Sequence, residues 1–396
     1  MSNFKEYYLY EFLTEKKEKN IDNKYGENDV LSVSKEKGIV NQIDLLGRSY
    51  AGKDLSKYKI VEPENVIYTK SPVKNSPFGI IKVCKENKGI VSTLYAVYNC
   101  NKKIIYPKYL DYYFSSDIKL NNYLIVLVDK GAKNTINISN TKFLDGKIML
   151  PSIKYQIKIV EYLEKIDNII EVINNIIDDL KDLRENVKRK LFKNITDNNS
   201  QTYRIRDLFE RVTEKNTNMK SDKILTISAQ DGLVSQEDYF NKIVAGKNLE
   251  NYYYIRKGDF AYNKSYSKGY PVGATKALKK YKNGIVSTLY ICFRLKERIN
   301  NSGFFEYLFE SNNYYAELEK ITQEGNRNHG LLNMNIEDFF NIPIKVPDIE
   351  TQGKIYRVLN NIDKKIELEK VKKENYEELK KGLMQQLLTG KVDVNV

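Results

Sequence analysis

Apolar residues follow two different periodicities along the chain. From the start to about Met149, and again from about Thr202 to Lys345, short apolar runs alternate with clusters of glycine, asparagine and proline. Runs such as VLSVS, GIIKVC and IVSTLYAVY in the first stretch, and ILTIS, GDFAYN and IVSTLYICF in the second, predict β-strands. YPKYLDYYFSS and GFFEYLFESNNYY predict short helices between strands. Each stretch is therefore expected to form an α+β domain.

A long helical pattern closes each stretch. Its apolar residues recur at spacings of three and four, which predicts the seam of a coiled coil. Each helix would extend about 63 Å at about 1.5 Å per residue. The predicted seam positions are Ile153, Ile157, Val160, Leu163, Ile166, Ile170, Ile173, Ile177 and Leu180 in the first helix, and Ile355, Leu359, Ile362, Ile366, Tyr376, Leu379, Leu383 and Leu387 in the second.

Two charged residues interrupt the second seam. Glu369 and Lys373 align with Ile173 and Ile177 of the first helix. Such a break either fixes the register of the pair or marks where the helices splay and admit water. The cost of isolated buried charge favours the second alternative.

The two halves of the chain repeat one another. The string GIVSTLY occurs at Gly89 and again at Gly284, 195 residues later in a chain of 396. With gaps of one residue, most of the two halves align. This period exceeds the roughly 20 to 50 residues of a solenoid unit, so a whole domain is duplicated. We expect domains at 1–150 and 197–346, each followed by a long helix, at 151–196 and 347–396, and we assign GIVSTLY to a core strand.

Composition limits the class of protein. The 65 Lys and Arg residues against 52 Asp and Glu give a net charge of +13. A basic surface attracts nucleic acid because neutralised phosphates release counterions, although a solvated lysine-rich surface is the simpler alternative. No apolar run approaches the roughly 20 residues that span a bilayer. The three cysteines are isolated, which favours a reducing compartment, so we expect a cytoplasmic protein without membrane contact.

Motifs for catalysis are absent from the sequence. There is no adjacent Pro-Pro, which excludes the (Asn/Asp)-Pro-Pro-(Tyr/Phe) loop of amino-methyltransferases, and no GxxxxGK(S/T) loop for nucleotide phosphates. The Glu-x-Lys of a common nuclease core does not follow Pro347-Asp348. His329 is the sole histidine, which leaves little for a histidine metal site or a Ser-His-Asp triad. We expect a chain that is not an enzyme and holds no metal.

The openings of both long helices resemble a known family. They read Leu/Val-Pro-x-x-x-x-Gln-x-(Lys)-Ile and are followed by Ile-Asp, at Asp167 and Asp363. GNRNHGLLNMNIEDFFNIPIKVP before the second helix and LMQQLLTGKVDV at its end belong to the same pattern. Over nearly its whole length the chain resembles the specificity subunits of Type I restriction-modification enzymes. It departs from them at Tyr155 and Thr351, where the family often has glutamate.

The resemblance implies an architecture and a set of partners. Two target recognition domains would be separated by two long helices packed as an antiparallel coiled coil, a pseudo-twofold internal repeat. The target would be a bipartite double-stranded DNA site with an unread spacer. Two methyltransferase subunits would clasp the helices, and two motor-nuclease subunits would join for restriction. S-adenosylmethionine, Mg²⁺ and ATP would be bound by those partners, and no cofactor by this chain.

Other functions stay open at this point. The recognition subunit of a related bipartite-cutting system has the same kind of organisation. A coiled-coil scaffold with RNA- or peptide-binding domains also fits the repeat and the charge. Protection of duplex DNA that depends on its sequence separates the first two functions from the scaffold.

Comparison of the two copies locates candidate DNA contacts. Residues that both domains share serve the fold or the phosphates, whereas exposed residues that differ can read different bases. SPVKNSPFG at 71–79 aligns with SYSKGYPVG at 265–273, and a plain surface turn is an equally good interpretation of both. The shared Lys74 and Lys268 are candidate phosphate contacts. The candidate base readers are Asn75, Tyr266 and Tyr270, since asparagine can bond adenine in the major groove.

Other aligned polar segments supply further candidates. They are two Ala-Gly-Lys loops, the residues at one strand end and a basic-polar pair before each long helix, although any of these lysines can be a solvated charge. Gln156 and Gln352 align one position too late for a capping box, so we assign them to partner-subunit binding. The further candidate DNA contacts are Arg48, Lys53, Lys70, Lys133, Asn134, Lys247, Asn263, Lys264, Arg327 and Asn328.

Overall fold

Each half of the chain folds into strands and short helices that end in one long helix. The computed structural model describes residues 4–73, 75–130, 136–195, 199–228, 232–240, 248–265, 270–296, 301–322 and 334–392. The chain divides into a first unit, Met1–Ile173 with Lys372–Val396, and a second unit, Asn174–Val371. Each unit therefore contains one predicted recognition domain and a portion of both long helices.

An antiparallel four-stranded sheet lies at the centre of the first unit. The strands of this unit are β1 (Lys5–Tyr8), β2 (Leu13–Glu15), β3 (Leu31–Ser34), β4 (Gly38–Asn41), β5 (Lys59–Val61), β6 (Val66–Thr69), β7 (Ile80–Val83), β8 (Gly89–Val91), β9 (Tyr95–Cys100), β10 (Asp129–Lys130), β11 (Ile136–Asn137) and β12 (Lys147–Leu150). The central sheet has the order β2-β9-β6-β7. The pairs β1-β12, β3-β4, β5-β8 and β10-β11 form separate two-stranded sheets.

Helices and aromatic side chains complete the core of the first unit. Its short helices are α1 (Gln42–Leu46), α2 (Pro107–Ser115), α3 (Asp117–Ile125) and α4 (Asn140–Leu144). Helix α2 packs against β7 and α3. The Phe143 ring stacks on the buried rings of Tyr68 and Tyr98, at centroid distances of 4.7 and 5.0 Å. Tyrosines thus fill part of this core, as large amphipathic rings do when their hydroxyls find a partner.

The second unit repeats this topology. Its strands are β13 (Ser200–Arg204), β14 (Phe209–Arg211), β15 (Leu225–Ser228), β16 (Gly232–Ser235), β17 (Tyr253–Arg256), β18 (Phe260–Asn263), β19 (Ala274–Ala277), β20 (Asn283–Val286), β21 (Ile291–Leu295) and β22 (Pro343–Pro347), and its short helices are α6 (Ile205–Leu208), α7 (Gln236–Phe240), α8 (Ser302–Leu308), α9 (Asn312–Ile321) and α10 (Ile336–Asn341). The central sheet has the order β14-β21-β18-β19. These strands align with β2, β9, β6 and β7, which confirms the predicted domain duplication.

The two long helices run antiparallel. They are α5 and α11, which span Ile153–Lys193 and Ile349–Leu387. In the first unit, Tyr155 and Leu163 of α5 share a hydrophobic cluster with Leu387 of α11. In the second unit, Phe192 of α5 shares a cluster with Leu359 of α11. The start of each helix therefore lies beside the end of the other, as predicted. Among the described residues, no helix is long and apolar enough to span a membrane.

The predicted seam is wrong at two positions. Ile157 is 38% exposed and Leu379 is 55% exposed, whereas Ile159, outside the predicted seam, is fully buried. The reason is that the start of α5 also packs against its own recognition domain, so its buried face is broader than a coiled-coil seam. The charged seam residues Glu369 and Lys373 are both half-buried.

The repeated GIVSTLY string is also not one strand. In the first copy the string's first three residues form β8, and its last residue begins β9. In the second copy the first three residues lie in β20, and the last residue directly precedes β21. Between them lies a tight turn in which the Ser92 hydroxyl accepts a hydrogen bond from the Leu94 amide and the Ser92 carbonyl one from the Tyr95 amide. The turn leaves Leu94 and its counterpart Leu289 exposed, by 74% and 57%. The string is therefore part core strand and part exposed turn.

Candidate nucleic-acid interface

Exposed segments meet at one end of the central sheet in the first unit. Thr69, the last residue of β6, lies opposite Ile80 of β7 and Tyr95 of β9. The segment 70–79 therefore starts beside the end of the turn 92–94. This end of the sheet carries the segment that was predicted to contact DNA.

The second unit repeats the arrangement. Asn263, at the end of β18, lies opposite Ala274 of β19, and Tyr262 lies opposite Ile291 of β21. Residues 264–265 and 270–273 and the turn 287–289 therefore lie at the equivalent end of the second central sheet.

One glycine holds each of these segments against its sheet. Gly79 and Gly273 have φ angles of +107° and +82°, which L side chains rarely adopt. A Cβ atom at these positions would lie 2.1 Å from the Thr69 carbonyl oxygen and 2.2 Å from that of Asn263. The Tyr68 hydroxyl donates to the Phe78 carbonyl at 2.9 Å and the Tyr262 hydroxyl to the Val272 carbonyl at 2.7 Å. The glycine that ends each segment is thus part of the scaffold.

Predicted contacts in segment 70–79 are accessible. Lys70 and Asn75 are exposed. Asn75 adopts the left-handed conformation at φ 66°, and its carbonyl accepts a hydrogen bond from the Asn121 side-chain amide at 3.0 Å. Its own side chain is therefore presented at the surface by a fixed backbone.

Arg48 and Lys53 lie in a neighbouring exposed segment. The Arg48 guanidinium lies 4.6 Å from the centre of the Tyr50 ring. The Gly52 amide donates to the Tyr58 hydroxyl at 3.0 Å, and Tyr58 directly precedes β5, whose Lys59 lies opposite Val91 at the start of the exposed turn. The structure thus brings Lys53 toward the same end of the domain as segment 70–79.

In the second unit, Asn263, Lys264 and Tyr270 are half-buried. The Asn263 side chain accepts a hydrogen bond from the Ser265 amide at 3.1 Å, which matches the bond from the Ser71 amide to the Thr69 hydroxyl in the first unit. Tyr270 packs edge-on against Tyr315 at a centroid distance of 6.1 Å. The side chains of Asn263 and Tyr270 therefore also make contacts within their own domain.

Several predicted contacts fall outside the described residues and stay predictions. They are Lys74, Lys133, Asn134, Lys247, Tyr266, Lys268, Arg327 and Asn328.

The two glutamines have an intramolecular role that the sequence reasoning missed. Gln156 is fully buried; its side-chain oxygen accepts from the Tyr106 amide at 2.8 Å, and its nitrogen donates to the Ile104 and Pro151 carbonyls. Gln352 repeats this with the Asn301 amide at 3.0 Å and the Pro347 carbonyl at 2.9 Å. Each glutamine ties the start of a long helix to its own domain. A buried, bonded amide offers nothing accessible to a partner subunit, so partner binding is not proposed for either below.

A carboxylate in the first half of each long helix joins that helix to the other long helix and to the recognition domain. The sequence reasoning also missed this contact. In the first unit Asp167 accepts hydrogen bonds from the Tyr112 hydroxyl, at 2.5 Å, and from the Lys380 ammonium. In the second unit Asp363 accepts from the Tyr307 hydroxyl at 2.7 Å and from Nε of Arg184 at 2.6 Å. The alignment of Lys380 with Arg184, and of Tyr112 with Tyr307, was the sequence signal that could have indicated these two clusters.

The second cluster contains a further carboxylate, Glu310, which forms two ion pairs. Glu310 accepts from Lys276 Nζ at 2.5 Å and from Arg184 at 2.9 Å. Burial alone would raise the pKa of Glu310, but these two cations lower the pKa to about 2. Burial would lower the pKa of Arg184, whereas Glu310 and Asp363 raise it above its ordinary value. Arg184 also pairs with Glu185 at 2.6 Å, so three carboxylates surround the two cations.

The comparisons with known proteins agree with this architecture. A family model for the Type I restriction modification DNA specificity domain matches residues 2–182 and again 197–378. The fold is similar to that of a Type I restriction-modification S subunit from M. genitalium, with a TM-score of 0.55 at 12% identity, covering 100% of this chain and 97% of that one. It is also similar to a chain from a structure described as the "type I R-M system", with a TM-score of 0.51 at 12% identity, covering 97% of both chains.

Two similar α+β domains with two antiparallel long helices define a tandem recognition-domain architecture. The chain belongs to the Type I restriction modification DNA specificity family, whose model covers most of both halves. Among the residues that the structure describes, no group of three or more His, Cys, Asp or Glu side chains is placed to hold a metal ion.

Proposed function

We propose that this chain is the DNA sequence-specificity subunit of a Type I restriction-modification system. The domain of each unit reads one half of a bipartite double-stranded site, and the spacer between the halves is not read. One observation carries the proposal. The two units share the same sheet end and the same glycine that holds the segment there, but the loop residues at this end differ between them.

Different loops on one scaffold support a target with unlike halves. Asn75, which is exposed, aligns with Gly269, and Ser76, which is fully buried, aligns with the half-buried Tyr270. Side chains with different donors, acceptors and shapes read different base edges. The DNA site is therefore asymmetric.

Exposed cations near these sheet ends support phosphate contact. Lys53, Lys70 and Arg48 are exposed in the first unit, and Lys264 is half-exposed in the second. Each phosphate that such a cation neutralises contributes a slope of about −0.9 to the dependence of log affinity on log salt. These contacts position the domain on the duplex and carry no base information.

Equivalent apolar side chains on the long helices support two identical protein partners. In the first unit Tyr162 and Val172 are exposed, and in the second unit the aligned Val358 and Leu368 are exposed. Leu368 is 70% exposed. Two copies of one methyltransferase subunit would each cover one of these positions, and motor-nuclease subunits would join for restriction.

Chemistry is assigned to those partners. This chain selects the DNA site and is not itself an enzyme, and it binds no cofactor. The partner subunits bind S-adenosylmethionine, Mg²⁺ and ATP. The complex acts in the cytoplasm, where its DNA target lies.

Methylation mapping tests the proposed function. The chain is expressed with the methyltransferase subunit of its own host in cells that lack other such systems, and genomic methylation is sequenced. We expect a methylated motif of two unlike short elements at a fixed spacing, which is absent when the methyltransferase is expressed alone. A continuous motif, or no motif that requires this chain, contradicts the proposal.

A further inference from the structure

One exposed turn is identical in the two units. It lies within the repeated string GIVSTLY, at residues 92–94 of the first unit and 287–289 of the second. In each copy the serine hydroxyl accepts a hydrogen bond from the leucine amide, at 3.4 and 3.3 Å, and the serine carbonyl accepts one from the next tyrosine amide. The threonine and the leucine at the tip are exposed in both copies. The two turns therefore present the same two side chains in the same way.

The other residues of the string have roles inside each domain. A Cβ at Gly89 would lie 2.2 Å from the Asp29 carbonyl oxygen, and one at Gly284 would lie 2.4 Å from a Leu225 methyl carbon. The isoleucine and the valine are buried, and the tyrosine packs against a hydrophobic cluster in both copies. Packing and the turn itself thus account for every residue of the string except the threonine and the leucine.

Buried positions directly after the string differ between the two copies. Ala96 and Val97 of the first unit correspond to Ile291 and Cys292 of the second, and all four are buried. Exposed side chains are less restricted than buried ones, because substitutions there disturb no packing. An exposed pair that is identical beside buried positions that differ therefore points to a ligand that is the same for both domains.

A lysine lies beside the turn at the candidate interface of the first unit. Thr69 of β6 lies opposite Tyr95 of β9 in an antiparallel pair. The next positions outward on the two chains are therefore Lys70 and Leu94, and Lys70 is exposed. This end of the sheet thus carries an ammonium, the hydroxyl of Thr93 and the apolar side chain of Leu94.

The second unit carries the same three residue types at the equivalent place. Tyr262 of β18 lies opposite Ile291 of β21, and two positions farther outward the chains reach Lys264 and Leu289. Lys264 is half-buried. The two sets, which we call the Lys-Thr-Leu patches, are Lys70 with Thr93 and Leu94, and Lys264 with Thr288 and Leu289.

We propose that each Lys-Thr-Leu patch binds one sugar–phosphate unit of the DNA duplex. The lysine ammonium and the threonine hydroxyl donate to phosphate oxygens, and the leucine covers the apolar carbons of the adjacent deoxyribose. Sugar–phosphate units are alike at every base pair, so the same patch serves two domains whose half-sites are unlike. The inference rests on the proposed function, because it takes DNA as the ligand.

The variants Leu94→Ala and Leu289→Ala test this contact. The full chain is bound to its methyltransferase subunit, and affinity is measured for a duplex that contains the methylated motif and for an unrelated duplex. We expect each variant to bind both duplexes roughly tenfold more weakly, since less apolar surface is covered on binding. The ratio of the two affinities should stay within about twofold, because a sugar contact carries no base information.

Salt dependence separates the leucine from the lysine of a patch. Leu94→Ala should leave the slope of log affinity against log salt unchanged, because leucine neutralises no phosphate. Lys70→Met should reduce the magnitude of that slope by about 0.9. The thermal midpoint of Leu94→Ala should lie within about 2 °C of that of the natural chain, since the side chain is exposed.

Met149→Ala is the matched control. Met149 is 45% exposed and belongs to β12, which leads to Pro151. The Gln156 amide joins Pro151 to Ile104, which follows the end of β9 that lies away from the turn. The control removes a side chain of similar size from the opposite end of the sheet, and its affinity for both duplexes should stay within about twofold of that of the natural chain.

Three results would overturn the inference and leave the proposed function intact, provided that the natural complex binds DNA. One is unchanged affinity for both duplexes in either leucine variant. Another is weaker binding to the motif alone, which would assign base reading to the leucine. The third is loss of the methyltransferase subunit while the chain alone keeps its DNA affinity, which would assign the turn to a protein contact. Absence of duplex binding by the natural complex would overturn the proposed function as well.

Discussion

Arg184 of the first long helix donates a hydrogen bond from Nε to the Asp363 carboxylate of the second long helix at 2.6 Å. Asp363 also accepts the hydroxyl of Tyr307 in the recognition domain, so one carboxylate joins both helices to the domain. Asp167 has the same relationship to Lys380 and Tyr112 in the first unit. In each unit one shared ionic contact thus links the coil to the recognition domain, in addition to the buried glutamine and the hydrophobic cluster.

Removal of Arg184 should destabilise the second unit strongly. Arg184→Ala leaves Glu310 and Asp363 without one of their cations, and breaking a partly buried pair in this way costs about 3 kcal/mol or more. Denaturant unfolding of the full chain measures the loss. Lys181→Ala is the control and should cost under about 0.5 kcal/mol, because the exposed Lys181 pairs with Asp178 at the surface. A loss below about 1 kcal/mol for Arg184→Ala contradicts this interpretation.

Glu310 should make stability fall in acid. The pKa of Glu310 in the folded chain is about 2, below its ordinary value of 4.5. The stabilisation is therefore complete above about pH 4.5 and is lost as the pH falls from 4.5 toward 2, a change of about 3 kcal/mol. Glu310→Gln should show a shallower loss between pH 5 and pH 3 than the natural chain. Parallel curves for the two proteins would show that the carboxylate is not stabilised by Lys276 and Arg184.

The buried glutamines should matter for folding. Gln352→Ala leaves the Asn301 amide without its acceptor, which costs about 1 to 3 kcal/mol. The exposed Lys354→Ala nearby should be neutral within about 0.5 kcal/mol. Co-purification with the methyltransferase subunit, measured well below the unfolding temperature, should be unchanged. Loss of the partner at full stability would restore the role in partner binding that we first assigned.

Gly79 should be required for reading one half-site. Gly79→Ala places a Cβ 2.1 Å from the Thr69 carbonyl oxygen at a φ of +107°, so segment 70–79 must shift. We expect a loss of about 2 kcal/mol in stability and weaker methylation that depends on the first half-site. Gly52→Ala is the control, since its nearest neighbour is the Tyr58 hydroxyl at 3.9 Å. Equal methylation in both variants would contradict the scaffold role.

Periodicity and internal repetition predicted the coarse architecture. The two long helices and the two α+β domains follow from patterns that extend over many residues, whereas the antiparallel packing was implied by the family resemblance. The exact seam positions could not be predicted in this way, because Ile159 is buried against its own recognition domain and not only against the other helix. The break within GIVSTLY was not predicted either. The hydroxyl and the carbonyl of Ser92 form the hydrogen bonds of that turn, and the alternation of apolar residues does not indicate them.

Contacts between distant residues were the other part that the sequence could not supply. Lys380 and Asp167 are 213 positions apart, and only the antiparallel packing brings them together. The role of Gln156 was similarly hidden, because the Tyr106 amide and the Ile104 carbonyl that it contacts lie about 50 residues earlier. Alignment of the two halves marks such residues as shared, but the structure is needed to show what they contact.

Domain exchange with methylation sequencing tests the central claim most directly. Residues 1–150 are replaced by the equivalent domain of another family member, and the hybrid is expressed with the same methyltransferase subunit. We predict that one element of the methylated motif changes while the other element and the spacing stay as they were. A change in both elements, or in neither, would contradict the account of two independent recognition domains on a shared helical spacer.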